Sequence, residues 1–151
     1  MGNPISIIAT NRRARRLYRI SDTLEAGLVL RGTEVKALRD GRASLSDSYC
    51  KVDGGELFLV NAHISPYTHG SHNNHDPVRR RKLLVHAREI RRLQKATEQK
   101  GFTVIPLKLY FRKGIAKIEI GLARGKRLYD RRADIADRET KRRLNRTLKQ
   151  Y

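Results

Sequence analysis

Between residues 107 and 122 the chain alternates in a way that leaves few folds open. Leu107, Leu109 and Phe111 share one face, Lys113 and Gly114 supply a turn, and Ala116, Ile118, Ile120 and Leu122 share one face of a return segment. Successive side chains of a strand point to opposite faces, so this stretch is predicted to be a β-hairpin with Lys117 and Glu119 outward. A second hairpin is predicted from residues 48–52 and 56–60, which flank Asp53, Gly54 and Gly55; glycine at such a turn accepts positive φ. Leu57, Phe58, Leu59 and Val60 are apolar on both faces, as suits a strand covered on both sides. Residues 18–23 and 24–30 alternate less regularly and are read as two more strands. Helical spacing is confined to 33–41, with Thr33 as the expected N-cap, and to about 86–100, where Ala87, Ile90 and Leu93 form a narrow apolar stripe before Gly101.

Charge decides what kind of surface this strand-rich body presents. The 151 residues include 34 Lys and Arg against 15 Asp and Glu, a formal charge of +19. Such an excess opposes compaction unless a polyanion neutralises it, and nucleic acid, an anionic membrane surface and an acidic protein all meet that demand. The charge is segmental. Residues 11–19 hold five Arg and no acid, 79–100 hold nine cations against Glu89 and Glu98, and 124–151 hold eleven against four acids. Residues 1–123 are therefore expected to form one domain, with 1–10 flexible, and 124–151 a basic tail. In that tail Asp134 with Arg138, Asp137 with Lys141 and Glu139 with Arg143 are acid-before-base pairs four apart, so it is expected to be disordered alone and helical on a polyanion. No run of eighteen apolar residues could span a bilayer, and the single Cys50 excludes an internal disulfide; a soluble, cytoplasmic chain without a membrane partner is expected.

The residues that could carry chemistry do not assemble into a catalytic pattern. His69, His72 and His75 sit three apart in a polar loop, with no cysteine or carboxylate cluster to complete a metal site. Residues 121–127 have three residues between their glycines where a phosphate-binding loop has four, and Arg127 where that loop has Ser or Thr. Nothing argues for an activated Cys50 thiolate, so neither catalysis nor a metal or other cofactor is expected. Tyr18, Tyr49, Tyr67, Tyr110 and Tyr129 lie among the arginines and could stack on exposed bases; core packing is at least as good an account of Tyr49 and Tyr110.

Longer motifs are more specific. NRRA at 11–14, EAGLVLRGTEVKALRDGRASLSDSY at 25–49, DPVRRRKLLVH at 76–86 and GKRLYDRR at 125–132 resemble, in the same order, the SmpB family, the partner of transfer-messenger RNA in bacterial ribosome rescue. The resemblance spans about residues 11–140. It implies an OB-fold-like closed antiparallel barrel, mainly β with about six strands and two or three short helices, that binds the tRNA-like domain of transfer-messenger RNA. It places Asn11, Arg12, Arg13, Tyr18, Glu25, Lys36 and Leu84 on the RNA-facing body; Arg39, on the exposed side of Lys36, and Arg81 and Lys82 of the central cluster are expected to join them. It assigns Gly125, Lys126, Arg127, Tyr129, Asp130, Arg131 and Arg132 to a tail that binds the ribosome at the small-subunit decoding centre and messenger channel. Delivery with elongation factor Tu and GTP, as a monomer in the complex, is also implied. Two departures stand out: Arg15, Arg16 and Leu17 replace a His and an acid before the tyrosine, and Arg131 replaces Lys. A structural ribosomal protein and an RNA-processing enzyme are the alternative functions for a chain of this composition.

Overall fold

The computed structural model describes residues 4–68, 74–99, 101–126 and 142. Its elements follow in the order β1 (Ile5–Thr10), α1 (Arg12–Leu17), β2 (Tyr18–Leu28), α2 (Gly32–Arg39), β3 (Ala43–Ser44), β4 (Tyr49–Asp53), β5 (Glu56–Val60), β6 (His63–Ile64), β7 (Arg81–Leu84), α3 (Ala87–Thr97), β8 (Phe102–Arg112) and β9 (Ile115–Gly125). Seven strands form one antiparallel sheet in the order β1-β8-β4-β5-β7-β2-β9, and β8 also pairs with β9. The pairings thus run in a ring of six strands, with β1 laid on β8 outside it. The seam between β4 and β8 is the thinnest part of that ring, a single register pair of Cys50 with Val104. β3 and β6 make a separate two-stranded sheet.

Both hairpins stand where the alternation placed them. Gly54 and Gly55 take φ of 59° and 77° between β4 and β5, and Lys113 and Gly114 take 52° and 73° between β8 and β9. Two consecutive left-handed residues make the turn whose twist matches that of the flanking strands. The ring interior is filled by Ala26, Leu57, Leu59, Leu83, Val104, Leu109, Ile118 and Ile120, and Ile90 and Leu93 of α3 and Ala37 and Leu38 of α2 join the same core.

Four expectations require correction. Leu107 does not share a face with Leu109: a bulge between Pro106 and Lys108 reverses the parity of β8. Leu107 and Ile105 therefore pack with Ala14 and Ala123 in a second, smaller core beneath α1, so the β8–β9 ribbon is buried on both faces. Ile5–Thr10 is not a flexible lead but an edge strand, because its apolar alternation finds the free side of β8 beyond the β4 seam. Residues 18–28 form one strand, with a register shift between Ile20 and Asp22 where two strands were expected. Finally, α2 begins at Gly32, and Thr33 is not its cap. The Glu34 carboxylate accepts the Arg31 backbone N–H at 2.8 Å, while the Thr33 hydroxyl pairs with His75 Nδ1 at 2.9 Å.

Candidate nucleic-acid interface

The six residues of α1 are too few to hold a helix alone. Asn11 fixes them to the barrel. Its Oδ1 accepts from the Ala14 N–H at 3.3 Å, its Nδ2 donates to Pro106 O at 2.9 Å, and its backbone N–H donates to Leu107 O at 2.8 Å. Ala14 is buried and Leu17 half-buried, which turns Arg12, Arg13, Arg15 and Arg16 outward. Among the described residues only Arg13 of these four has an ion pair, with Asp47 at 3.4 Å, and both side chains are well exposed. An exposed pair of that kind contributes little, so the arm keeps its charge available. Asn11 itself is buried with both polar ends engaged inside the protein, and it serves the arm by positioning it.

The central cluster has a different fate. Glu34 and Arg81 are both fully buried, with Nε of Arg81 2.5 Å from Oε2 of Glu34 and Nη2 of Arg79 2.5 Å from Oε1. Arg81 also donates to Ala62 O at 2.7 Å and to Pro77 O at 3.1 Å. Burial would raise the Glu34 carboxyl, but hydrogen bonds from Arg79, the Arg31 N–H and Arg81 hold it below the usual carboxylate range. Arg81 was expected on the RNA-facing surface; its guanidinium has no exposure and is committed to joining α2, β7 and the 62–77 segment. Lys82 is half-buried and paired with Glu56 at 3.3 Å, and Arg80 pairs with Asp53 at 2.9 Å while lying 3.7 Å above the Phe58 ring. Two of this cluster's cations, Arg79 and Arg81, are thus tied to a buried acid, and two more, Arg80 and Lys82, lie in exposed pairs.

Glu25 and Leu84, far apart in sequence, meet across β2 and β7. The Leu84 side chain, 53% exposed, covers Gly27, and with Leu24, Glu25, Val85, His86 and Glu89 it lines a cavity of about 340 Å³. Glu25 accepts a hydrogen bond from the Tyr110 hydroxyl and pairs with Arg112 at 3.1 Å. Burial, then the bond to Glu25, pushes the Tyr110 phenol up to about 12. Tyr110 is a core residue, whereas Tyr49 is 42% exposed, which divides two tyrosines the sequence could not separate. Lys36 and Arg39 are exposed on α2, and Lys36 Nζ lies 5.5 Å from the Tyr67 ring centre.

Gly125 closes β9 opposite Tyr18, and the Lys126 N–H donates to Leu17 O at 2.8 Å, so the root of the tail is tied to the basic arm. Arg127, Tyr129, Asp130, Arg131 and Arg132 lie outside the described residues, as do His69 and His72. His75 is buried; its Nε2 meets the Ile64 carbonyl at 2.9 Å, and its Nδ1 meets Thr33, so both ring nitrogens hold the fold together. Gly121 belongs to β9, where a Cβ would come within 2.9 Å of Ile20 Cγ2, so close packing accounts for it. Cys50 is buried, which pushes its thiol up and away from reactivity.

Two features of this surface were not singled out as site residues from the sequence. Arg88, Arg91 and Lys95 stand exposed on α3 with no ion pair among the described residues, while Arg92 is held by Asp22 at 2.8 Å. Spacing of three and four would have put them on one helix face. Asp47 and Tyr49 join Asn11, Arg13, Ala14, Leu17, Tyr18, Ser48, Thr103 and Ile105 around a cavity of about 510 Å³. Only the tertiary fold brings these segments together, and no local spacing announces it.

A basic barrel with exposed arginines beside open aromatic rings has the surface chemistry of an RNA-binding protein. The chain belongs to the SmpB family, whose model, described as SmpB protein, matches residues 8–150. It is 55% identical over 146 residues to the SsrA-binding protein of Pelotomaculum thermopropionicum, covering 97% of this chain and 95% of that one. The SsrA-binding protein of Thermobifida fusca is 58% identical over 142 residues, with 94% and 89% covered. A solved chain described as "tmRNA-SmpB: a journey to the center of the bacterial ribosome" superposes with a TM-score of 0.67 at 49% identity, covering 83% of this chain and 92% of that chain.

Proposed function

We propose that this protein is an RNA-binding adaptor of trans-translation: it holds the tRNA-like domain of transfer-messenger RNA and delivers it to the A site of stalled ribosomes for rescue and peptide tagging. The observation that carries this reading is near full-length similarity to proteins named SsrA-binding protein, on a chain whose α1 presents arginines with almost no internal acid. The protein supplies shape and positive charge and catalyses no step. Arg12, Arg13, Tyr18, Lys36 and Arg39 face the RNA, with Glu25 and Leu84 forming a partly apolar contact and Asn11 holding the arm in place.

The tail was expected from 124, but Arg124 and Gly125 belong to β9 and pair with β2; residues 127–151 form the part that engages the ribosome, with Tyr129, Arg131 and Arg132 toward the decoding centre and messenger channel. Delivery proceeds with elongation factor Tu and GTP, one copy of the protein per complex, in the cytoplasm. Filter binding of transfer-messenger RNA against bulk tRNA tests the partner directly: marked preference for the former is expected, and equal binding contradicts the reading. Removing residues 127–151 is expected to spare binding to the tRNA-like domain and abolish tagging. Equal loss of both would overturn the division of labour.

A further inference from the structure

A cavity opens between α1, the turn before β4, and β8. At about 510 Å³ it falls within the range of small-ligand sites. Its lining includes the apolar Ala14, Leu17 and Ile105 and two tyrosines, Tyr18 and Tyr49, the latter with 42% of its surface open. An aromatic ring left open to water on a barrel strand is available for stacking a base.

The rim supplies the edge recognition. Asp47 lies in the left-handed region at φ 61°, as does Asn61 at 65°, and the Asn61 side chain donates to the Asp47 carbonyl at 3.2 Å. Asp and Asn are the non-glycine residues that take this conformation most readily, so the turn holds Asp47 at the mouth of the cavity without strain. The Asp47 carboxylate has one neighbouring cation, Arg13 at 3.4 Å, and stays 71% exposed. It therefore retains acceptor capacity toward the cavity it lines. A carboxylate only accepts, so it selects a ligand edge rich in donors. Guanine is the base whose pairing edge offers two adjacent donors, N1–H and the exocyclic amine; adenine and cytosine each offer one amine there, and uracil one imino group. Arg13 lines the same mouth, and Arg12 is exposed next to it on α1, to meet the flanking phosphates.

We propose that this cavity is a guanine-reading pocket for an unpaired nucleotide of bound RNA, with the base stacked on Tyr49 and its pairing edge on Asp47. The proposal rests on the RNA-binding reading above and adds to it a base specificity and two residues. Duplex RNA hides its bases, so the nucleotide read must lie in a loop, bulge or end.

The test uses the full chain and four heptaribonucleotides, UUUNUUU with N as G, A, C or U, in competition against labelled transfer-messenger RNA. The G heptamer is expected to compete roughly tenfold better than the other three, the gain of one good two-point base contact. Asp47→Asn keeps a residue at ease at positive φ and so keeps the loop, while exchanging one acceptor oxygen for a donor; it is expected to bring the four heptamers within about twofold of one another. Tyr49→Ala is expected to weaken all four together, by about tenfold, through lost stacking. Equal competition by all four against the wild type, or a G preference that survives Asp47→Asn, overturns the pocket while leaving RNA binding intact. Failure of the wild type to hold transfer-messenger RNA itself would instead overturn the function proposed above.

Discussion

Segments 12–16, RRARR, and 79–82, RRRK, each carry four cations, and the fold gives them opposite surroundings. In the second, Glu34 sits between Arg79 and Arg81, Asp53 meets Arg80 and Glu56 meets Lys82, so every cation has a carboxylate within 3.3 Å. In the first, only Arg13 has such a partner among the described residues, at 3.4 Å. The first segment therefore presents its charge, whereas the second commits Arg79 and Arg81 to the buried Glu34 and leaves Arg80 and Lys82 in exposed pairs. A buried pair such as Arg81 with Glu34 adds little net stability over an apolar substitute, yet losing one partner alone is costly, so the pair acts as a lock of specific geometry rather than a source of affinity. Positive charge counted along the chain overstates what a polyanion can use.

The largest effect expected on either side of this contrast is from Arg81→Met. It takes away one of the two guanidinium partners of Glu34, leaving Oε2 buried and unpaired while Arg79 still holds Oε1, and strands the Ala62 and Pro77 carbonyls. The substitution is expected to cost about 3–5 kcal/mol in denaturant unfolding, with the affinity of the folded fraction for RNA unchanged. A loss below about 1 kcal/mol would erase the distinction between the segments. Leu107→Ala should come next, at about 2–5 kcal/mol, because it empties the small core on which α1 rests, and RNA affinity should fall with it. Replacing Arg12, Arg13, Arg15 and Arg16 together by Gln sharpens the contrast from the other side: stability should change by less than about 0.5 kcal/mol per site, while RNA affinity drops.

Acid sharpens it further. The folded state holds the Glu34 carboxyl below its ordinary value, so it favours the ionised form more than the unfolded chain does. That contribution is complete above the ordinary carboxylate range and is lost as pH falls through the lower folded value. Stability of the wild type should therefore fall on acidification in that window, with a weaker fall in Arg81→Met; identical profiles would contradict the lock. The smallest effect expected is for Arg80→Gln, a single cation that pairs with Asp53 and lies over the Phe58 ring: RNA affinity should stay within about twofold, and the salt slope should change far less than in the four-Gln variant.

Much of the architecture was legible because hairpins advertise themselves locally. The Gly54–Gly55 and Lys113–Gly114 turns follow from residue type, and α3 from the spacing of Ile90 and Leu93 before Gly101. What could not be read depended on distant partners. The parity of Leu107 hangs on a bulge, the strand at Ile5–Thr10 on the vacant side of β8, and the burial of Arg81 on an acid 47 positions away. The family motifs supplied Glu25 and Leu84 as site residues without saying that they touch one cavity. Counting charge along the chain carried Arg81 into the interface, since a run of cations does not say which of them faces in or out.

If the two basic segments differ as described, the arm on α1 supplies the charge that RNA uses. The decisive measurement is filter binding of the tRNA-like domain of transfer-messenger RNA over a series of salt concentrations, for the wild type and the four-Gln arm variant. Removing one phosphate contact should reduce the slope of log affinity against log salt by about 0.7–0.9. A clearly shallower slope with weaker binding at low salt is expected of the variant, and an unchanged slope and affinity would contradict the role given to the arm.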